Sequence, residues 1–493
     1  MIGMTVIPAA PEGTSMGITP DGSHQLKKGL KPRHLTMLSL GGVIGAGLFV
    51  GSSATIHDAG PLAFVTYGLT GLIVLLVMRM LGEMAAARPS TGSFTDYARI
   101  AWGTWAGFST GWLYWYFWVI VVGFEAVAGG QIIHDWIPAL PVWAIALGLM
   151  IIMTFVNLLS VGAFGEAEYW FAGIKVVAIV AFIAVSALFV LGLWPGASMD
   201  FSNLTEHGGL LPHGLATLFV GVVVVIFSMT GVEVVTVAAA ESAEPARAIR
   251  KAVNSVVFRI LFFFVISTFL IVVIVPWNSV APGESPFVAA LNRIGIPGAG
   301  NLLNLVILVA VLSVLNSGLY TSSRLLFVMG DRGDAPSWMS ATNKRGVPVK
   351  GILSCTIVGY GCVVLAAVWP DTVFLFLINA SGAVFLFVYF MICVSELRLR
   401  RIWERDCPEI LQFRMWFYPV LPVVVTACIV AVLVSMGLRP EHRIELFQGL
   451  AVWAVLTVVY LFARRARRSQ TEACSPPAAE SLAQAGAPQR IPH

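Results

Sequence analysis

Length, composition and charge together indicate a membrane protein. The chain has 493 residues, of which 58% are hydrophobic and only 11% are charged, and its mean hydropathy is +0.85. About a quarter of the residues in an ordinary globular domain are charged. The composition therefore excludes a large water-soluble domain and indicates a polytopic membrane protein.

Twelve apolar stretches are long enough to cross a bilayer, which takes roughly 20 residues of α-helix. The sequence therefore predicts an all-α protein with twelve transmembrane helices. In chain order the predicted spans are residues 35–56, 62–86, 106–133, 140–160, 167–193, 214–240, 255–276, 301–329, 350–369, 372–395, 416–437 and 444–463. The polar segments before and after them, 1–34 and 464–493, are predicted to be disordered cytoplasmic tails.

The distribution of basic residues predicts the orientation of these spans. If both ends of the chain lie in the cytoplasm, nearly all of the 30 Lys and Arg residues fall on the inner side, and the outer loop from Trp194 to His213 contains none. Short cytoplasmic loops carry such an excess of Lys and Arg. We therefore expect both termini inside. This pattern also accounts for the net charge of +4, which gives no reason to expect a nucleic-acid partner.

The sequence gives no indication of an enzyme. Its six cysteines lack metal-ligand spacing, and there is no HExxH, GxSxG or Cys/His grouping that would supply a metal or a nucleophile. We therefore expect no catalytic residues, no metal site and no cofactor.

Two of the predicted spans carry residues that interrupt helices. The first contains GGVIGAGLFV (41–50), with glycines at Gly41, Gly42, Gly45 and Gly47, and the sixth contains FSMTGVEVV (227–235). The glycines alone fit close helix packing. Interruptions in both spans favour two discontinuous helices, as in transporters with inverted repeats. Exposed amides suit a carboxylate and unwound carbonyls suit an ammonium group, so the pair predicts a site for a zwitterion.

Several motifs resemble those of one transporter family. They are GGVIGAGLFVGS (41–52), LGEMAAARPSTGSF (81–94), FGEAEYWFAGIKVVAI (164–179), FSMTGVEVVTVAAAESAEP (227–245) and LNSGLYTSSR (315–324). The chain resembles the amino-acid permeases of the amino acid–polyamine–organocation (APC) superfamily. Within that family, GWLYWYFWV (111–119), NLLSVGAFGEAEYW (157–170), RGDAP (332–336) and FLINASGAV (376–384) look most like the bacterial 4-aminobutyrate (GABA) permeases.

The resemblance implies a fold and an activity. The fold is of the leucine-transporter type, with a ten-helix core of two inverted five-helix repeats (35–395) and two further helices after a basic loop (396–463). The implied activity is proton-driven import of GABA across the bacterial inner membrane. Import of another amino acid (proline, aromatic, basic or small neutral) remains an alternative, as does a sensor or channel without coupled transport. The oligomeric state is left open.

The resemblance also implies the substrate-binding residues. Backbone amides of Ile44, Gly45, Ala46 and Gly47 would surround the carboxylate, and carbonyls near Phe227, Ser228 and Thr230 would surround the amine. Because GABA has three methylenes between its charged ends, its amine needs a more distant acceptor. Glu125 in the third predicted span is a candidate for that role, for a proton relay, or for a structural hydrogen bond.

Other ionisable groups at membrane depth are also candidates, because burying them is costly. The resemblance places Lys175 where sodium-coupled relatives bind sodium, so its protonation would fasten the fifth span to the first; the alternative is a structural lysine. Glu233 is expected to cap the second half of the broken sixth span, to act in gating, or both. We further expect a cytoplasmic charge network that holds the inward gate, with a solvated face as the alternative; its residues are Glu83, Arg88, Glu241, Glu244 and Arg247. Glu166 and Glu168 are expected to cap a helix.

Overall fold

A computed structural model describes residue 37 and residues 44–90, 92–159, 161–234, 236, 245–343, 345–369 and 373–474. Gly41, Gly42, Glu241 and Glu244, which the sequence analysis names, lie outside this part of the chain, as do residues 1–34.

All regular structure in the described ranges is helical. The α-helices are α1 (Ala46–Phe49), α2 (Ser52–Ala59), α3 (Ala63–Ala87), α4 (Phe94–Trp102), α5 (Thr104–Trp136), α6 (Val142–Leu159), α7 (Val161–Val190), α8 (Ala216–Met229), α9 (Pro245–Arg259), α10 (Ser267–Ile274), α11 (Pro286–Ile294), α12 (Ala299–Asp331), α13 (Val349–Val368), α14 (Val373–Asp406), α15 (Val420–Leu438) and α16 (Arg443–Cys474). A π-helical stretch, Ile260–Ile266, joins α9 to α10.

Within the described residues, ten helical stretches are long and apolar enough to cross a membrane. The prediction of an all-helical, multi-pass membrane protein is therefore confirmed. The number twelve stays a prediction, because the first two predicted spans form one helical stretch, Ala46–Ala87, and α8 in the sixth has only 14 residues. The short helices α4 and α11 were not predicted.

Helix α5 lies at the centre of the bundle. It is 33 residues long and packs against α6, α12, α13 and α14. Its side chains are buried along most of its length, including Phe117 and Phe124. Helix α16 lies at the periphery, where Val455, Val458 and Phe462 are exposed. Apolar side chains that face outward from such a bundle suit contact with lipid tails.

A buried ion pair joins two helices near one end of the bundle. Glu83 on α3 binds Arg400 on α14, and its carboxylate also accepts the backbone amide of Met415. Arg400 forms a second ion pair with Glu404 one turn further along α14. Arg400 was not among the residues of the expected charge network; the packing of α14 against α3 brings it to Glu83. The network itself stays a prediction, because Glu241 and Glu244 lie outside the described residues.

Helix α16 extends further than the sequence predicted. It continues to Cys474, whereas the apolar pattern ends near Ala463 and the following residues were predicted to be disordered. The extension, ARRARRSQTEAC, contains neither glycine nor proline. Ala and Arg favour helix, so the backbone stays helical after the apolar span has ended.

Candidate functional site

At the first predicted interruption, the described chain enters a helix directly after Gly45. The Gly45 backbone is extended, with φ −134° and ψ −164°, and α1 begins at the next residue. The Gly45 carbonyl accepts the amides of Leu48 and Phe49 at 3.2 and 3.3 Å. The first amides of a helix have no partner within it, and that of Ala46 donates to Oε2 of Glu125 at 3.3 Å. The interruption therefore presents backbone donors to the protein interior.

The second interruption follows Met229, the last residue of α8. Thr230 is extended, with ψ 156°, and Gly231 has φ +98°, in the left-handed region that glycine adopts without strain. The Thr230 hydroxyl donates to the Phe227 carbonyl at 2.7 Å. The chain therefore leaves the helix at the residues where the sequence placed the break.

The two interruptions are in direct contact. The Ser228 hydroxyl donates to the Gly47 carbonyl at 2.6 Å. A Cβ atom at Gly47 would lie 3.0 Å from Cα of Ser228 and 3.2 Å from ring atoms of Phe227. A Cβ atom at Gly45 would lie 2.7 Å from Oε1 of Glu125. Gly45 and Gly47 therefore permit close packing, and the anion site at the first predicted interruption stays a prediction.

A small cavity lies between the interruptions. Its lining contains most of the substrate-binding residues that the resemblance implied, namely Gly45, Gly47, Glu125, Phe227, Ser228 and Thr230. Ile44 and Ala46 do not line it, although the Ala46 amide contacts Glu125. The centres of water molecules can occupy only about 20 Å³ of the cavity, which is room for one or two waters. An amino acid therefore requires a more open conformation.

Three further residues line the cavity that sequence reasoning did not single out: Trp118, Val121 and Val314. Trp118, Val121 and Glu125 follow one another at helical spacing along a single face of α5. Trp118 is buried, and its indole N–H has no hydrogen-bond partner within the described residues. It belongs to the aromatic run WLYWYFW (112–118). Its helical spacing from Glu125 was the signal that could have distinguished it from the other aromatic residues of that run.

Lys175 lies in a buried polar cluster between α7 and α12. Its ammonium donates to the Ser313 hydroxyl at 2.8 Å and lies 3.9 Å from Oε1 of Glu168. Ser313 in turn donates to the same Glu168 oxygen at 2.6 Å. The expectation that Glu166 and Glu168 cap a helix was wrong: α7 begins at Val161, so both lie beyond its first turn, and Glu168 contacts Lys175.

The same part of α12 holds another polar contact. Asn157 on α6 donates to the side chain of Asn316 at 2.7 Å. The motif LNSGLYTSSR, which supported the family resemblance, therefore lies beside the Lys175 cluster. The expected contact of Lys175 with the first span stays a prediction.

Glu233 closes the second interruption. Its two carboxylate oxygens accept the Gly231 amide, each at 3.1 Å, and Oε1 also accepts the Tyr114 hydroxyl at 2.9 Å. The side chain is buried but does not belong to the cavity lining. These contacts tie α5 to the segment after α8, and the capping and gating roles of Glu233 stay predictions.

The fold and the site define a class of protein: a multi-pass helical membrane protein with a small, partly polar cavity between the start of α1 and the end of α8. Residues 34–473 match the family model described as amino acid permease. The chain belongs to the amino acid permease family of the APC superfamily.

Individual relatives agree with this assignment. The chain is 48% identical to the gamma-aminobutyric acid permease of Bacillus subtilis (strain 168), over 92% of this chain and 96% of that protein. It is 44% identical to the gamma-aminobutyric acid permease of Escherichia coli (strain K12), over 90% and 95% respectively. Among solved structures, its fold is similar to that of a manganese transporter from Eremococcus coleocola, crystallised with an aromatic bis-isothiourea substituted compound. The TM-score is 0.55, the identity 11%, and the coverage 91% of this chain and 99% of that one.

Proposed function

We propose that this permease imports GABA together with protons across the bacterial inner membrane. The observation that carries the proposal is the meeting of two interrupted helices at one cavity, in a chain 44–48% identical to proteins named gamma-aminobutyric acid permease. Multi-pass architecture and family membership support transport of a small amino acid, and the cavity supplies groups for both of its charged ends.

The substrate is held mainly by backbone groups. Its carboxylate binds the amides at Ile44, Gly45, Ala46 and Gly47, because these donors begin a helix and attract negative charge. Its amine binds carbonyls at Phe227, Ser228 and Thr230, where α8 ends. Glycine supports this arrangement because a side chain at Gly47 would fill the space next to Ser228.

Proton coupling is assigned to Lys175. What supports this role is its complete burial beside Ser313 and Glu168. A buried ammonium must be paired or hydrogen-bonded, and in this cluster its charge balances that of one carboxylate. Loss of the Lys175 proton would leave the buried Glu168 carboxylate without a counter-charge. Protonation of Lys175 therefore favours the conformation in which the helices close around this cluster. Glu233 holds the second interruption in place during this cycle.

The full architecture belongs to the same proposal. It comprises twelve spans, with the first ten forming two inverted repeats of the leucine-transporter type, and both termini in the cytoplasm. The support is the interruption of the first and sixth predicted spans and the excess of Lys and Arg in the predicted inner loops.

Uptake into proteoliposomes tests the proposed function. Labelled GABA would be offered with an inside-alkaline pH gradient and no sodium, and proline, phenylalanine, lysine and alanine would compete. Concentrative uptake inhibited mainly by GABA analogues supports both the substrate and the coupling. Strong flux of a competitor without GABA flux would refute the substrate, binding without flux would indicate a sensor, and single-channel current would indicate a channel.

A further inference from the structure

Glu125 contacts the backbone group that the proposed site assigns to the substrate. Its Oε2 accepts the Ala46 amide at 3.3 Å, and its Oε1 lies so close to Gly45 that a Cβ atom there would be 2.7 Å away. The side chain is buried, with 2% of its surface exposed, and it lines the cavity. A protein carboxylate therefore lies on the first interruption, where a substrate carboxylate is expected.

Two carboxylates cannot share this position. The Ala46 amide has one hydrogen to donate, and Glu125 already accepts it. A substrate carboxylate must therefore move the Glu125 side chain off the amide or bind elsewhere. Glutamate can move in this way because several of its side-chain bonds rotate.

We propose that Glu125 is an internal competitor for the carboxylate position, and that the substrate must displace it from the Ala46 amide in order to bind. Displacement leaves the Glu125 carboxylate facing the cavity, where the amine of a substrate with separated charges can reach it. Displacement costs the free energy of the hydrogen bond between Glu125 and the Ala46 amide. A substrate with both a carboxylate and an amine recovers part of this free energy when its amine contacts Glu125. A monocarboxylate lacks that compensation and is excluded. This inference rests on the function proposed above and gives Glu125 a role in selecting zwitterions.

Butyrate is the probe that isolates the competition, because it has the carboxylate and carbon chain of GABA without the amine. Binding of butyrate and of GABA to the purified full-length protein would be measured by titration calorimetry for the wild type, Glu125→Gln and Glu125→Ala. Asp135→Asn is the matched control, since it neutralises an exposed carboxylate on the same helix, outside the cavity lining. Thermal unfolding of each variant checks its folding.

The proposal predicts that Glu125→Ala binds butyrate about tenfold more tightly than the wild type, equivalent to about 1.4 kcal/mol, and that Glu125→Gln, which keeps an acceptor oxygen but loses the charge, gains less. Both variants should gain less affinity for GABA than for butyrate, or lose affinity for GABA, and Asp135→Asn should leave the preference for GABA over butyrate unchanged. If Glu125 only stabilises the helix break, butyrate affinity will stay the same or fall in both variants, which would overturn the proposal. If the wild type binds no amino acid, the proposed function fails and this inference fails with it. If the wild type binds GABA but the variants do not gain butyrate affinity, this inference alone fails.

Discussion

A methyl group added at Gly47 tests whether the two interruptions must touch. In Gly47→Ala the new carbon would lie 3.0 Å from the backbone Cα of Ser228 and 3.2 Å from two ring atoms of Phe227. The backbone atom cannot rotate away as a side chain would, and the Phe227 ring packs edge-to-face against Phe124 at 4.8 Å between centroids. The methyl group is therefore accommodated only by separating the two segments.

The cost follows from known effects of similar changes. Overpacking of a core costs about 1–3 kcal/mol, and a weakened Ser228–Gly47 hydrogen bond costs about 1 kcal/mol. The better helix propensity of alanine returns about 1 kcal/mol. We therefore expect Gly47→Ala to be destabilised by about 1–3 kcal/mol and to lose most of its transport, because the donors and acceptors of the site move apart.

Gly173→Ala is the matched control, because a Cβ atom at Gly173 in α7 would have no neighbour within 4 Å. It should be as stable as the wild type or more so, with unchanged uptake. The assays are thermal unfolding in detergent and GABA uptake in proteoliposomes. Wild-type stability and uptake in Gly47→Ala would refute the requirement for close contact.

Two further predictions concern the buried charges. Ser313→Ala removes a hydrogen bond of 2.8 Å from Lys175. We expect uptake driven by a pH gradient to fall at least tenfold while GABA binding persists. Equal losses of binding and uptake would contradict the coupling role. Glu83→Gln breaks the buried ion pair with Arg400 and should destabilise the protein by about 3 kcal/mol, the lower end for a broken buried pair, since Arg400 retains its second carboxylate partner. Thermal unfolding measures this loss of stability. The control is Arg405→Gln, which removes an exposed ion pair and should leave stability unchanged. Equal stability of the two variants would contradict a stabilising role of the buried pair.

The elements that the sequence predicted well depend on local patterns. Apolar length locates helices such as α5 and α12 because the bilayer requires about 20 residues for each crossing. Glycine, serine and threonine located the second interruption correctly, since Thr230 and Gly231 leave the helix. In the first predicted interruption, Gly45 is extended and a helix begins at the next residue.

The partners of buried charges could not be predicted in the same way. Ser313 is 138 residues from Lys175 in the chain, and Arg400 is 317 residues from Glu83. Each pair depends on which helices pack together, which a single sequence does not specify. Glu168 was predicted to cap a helix because the sequence does not show that it packs beside Lys175 and Ser313. Trp118 was missed because hydrophobicity does not distinguish it from neighbouring aromatic residues that face other helices.

The central claim is that the two helix interruptions hold the opposite ends of an amino acid. A structure of the permease with bound GABA tests it most directly. The account predicts carboxylate oxygens within hydrogen-bonding distance, about 2.7–3.2 Å, of amides in residues 44–47, an amine next to the carbonyls of Phe227, Ser228 or Thr230, and Glu125 displaced from the Ala46 amide. GABA bound elsewhere, or in the reverse orientation with its amine at residues 44–47, would contradict it.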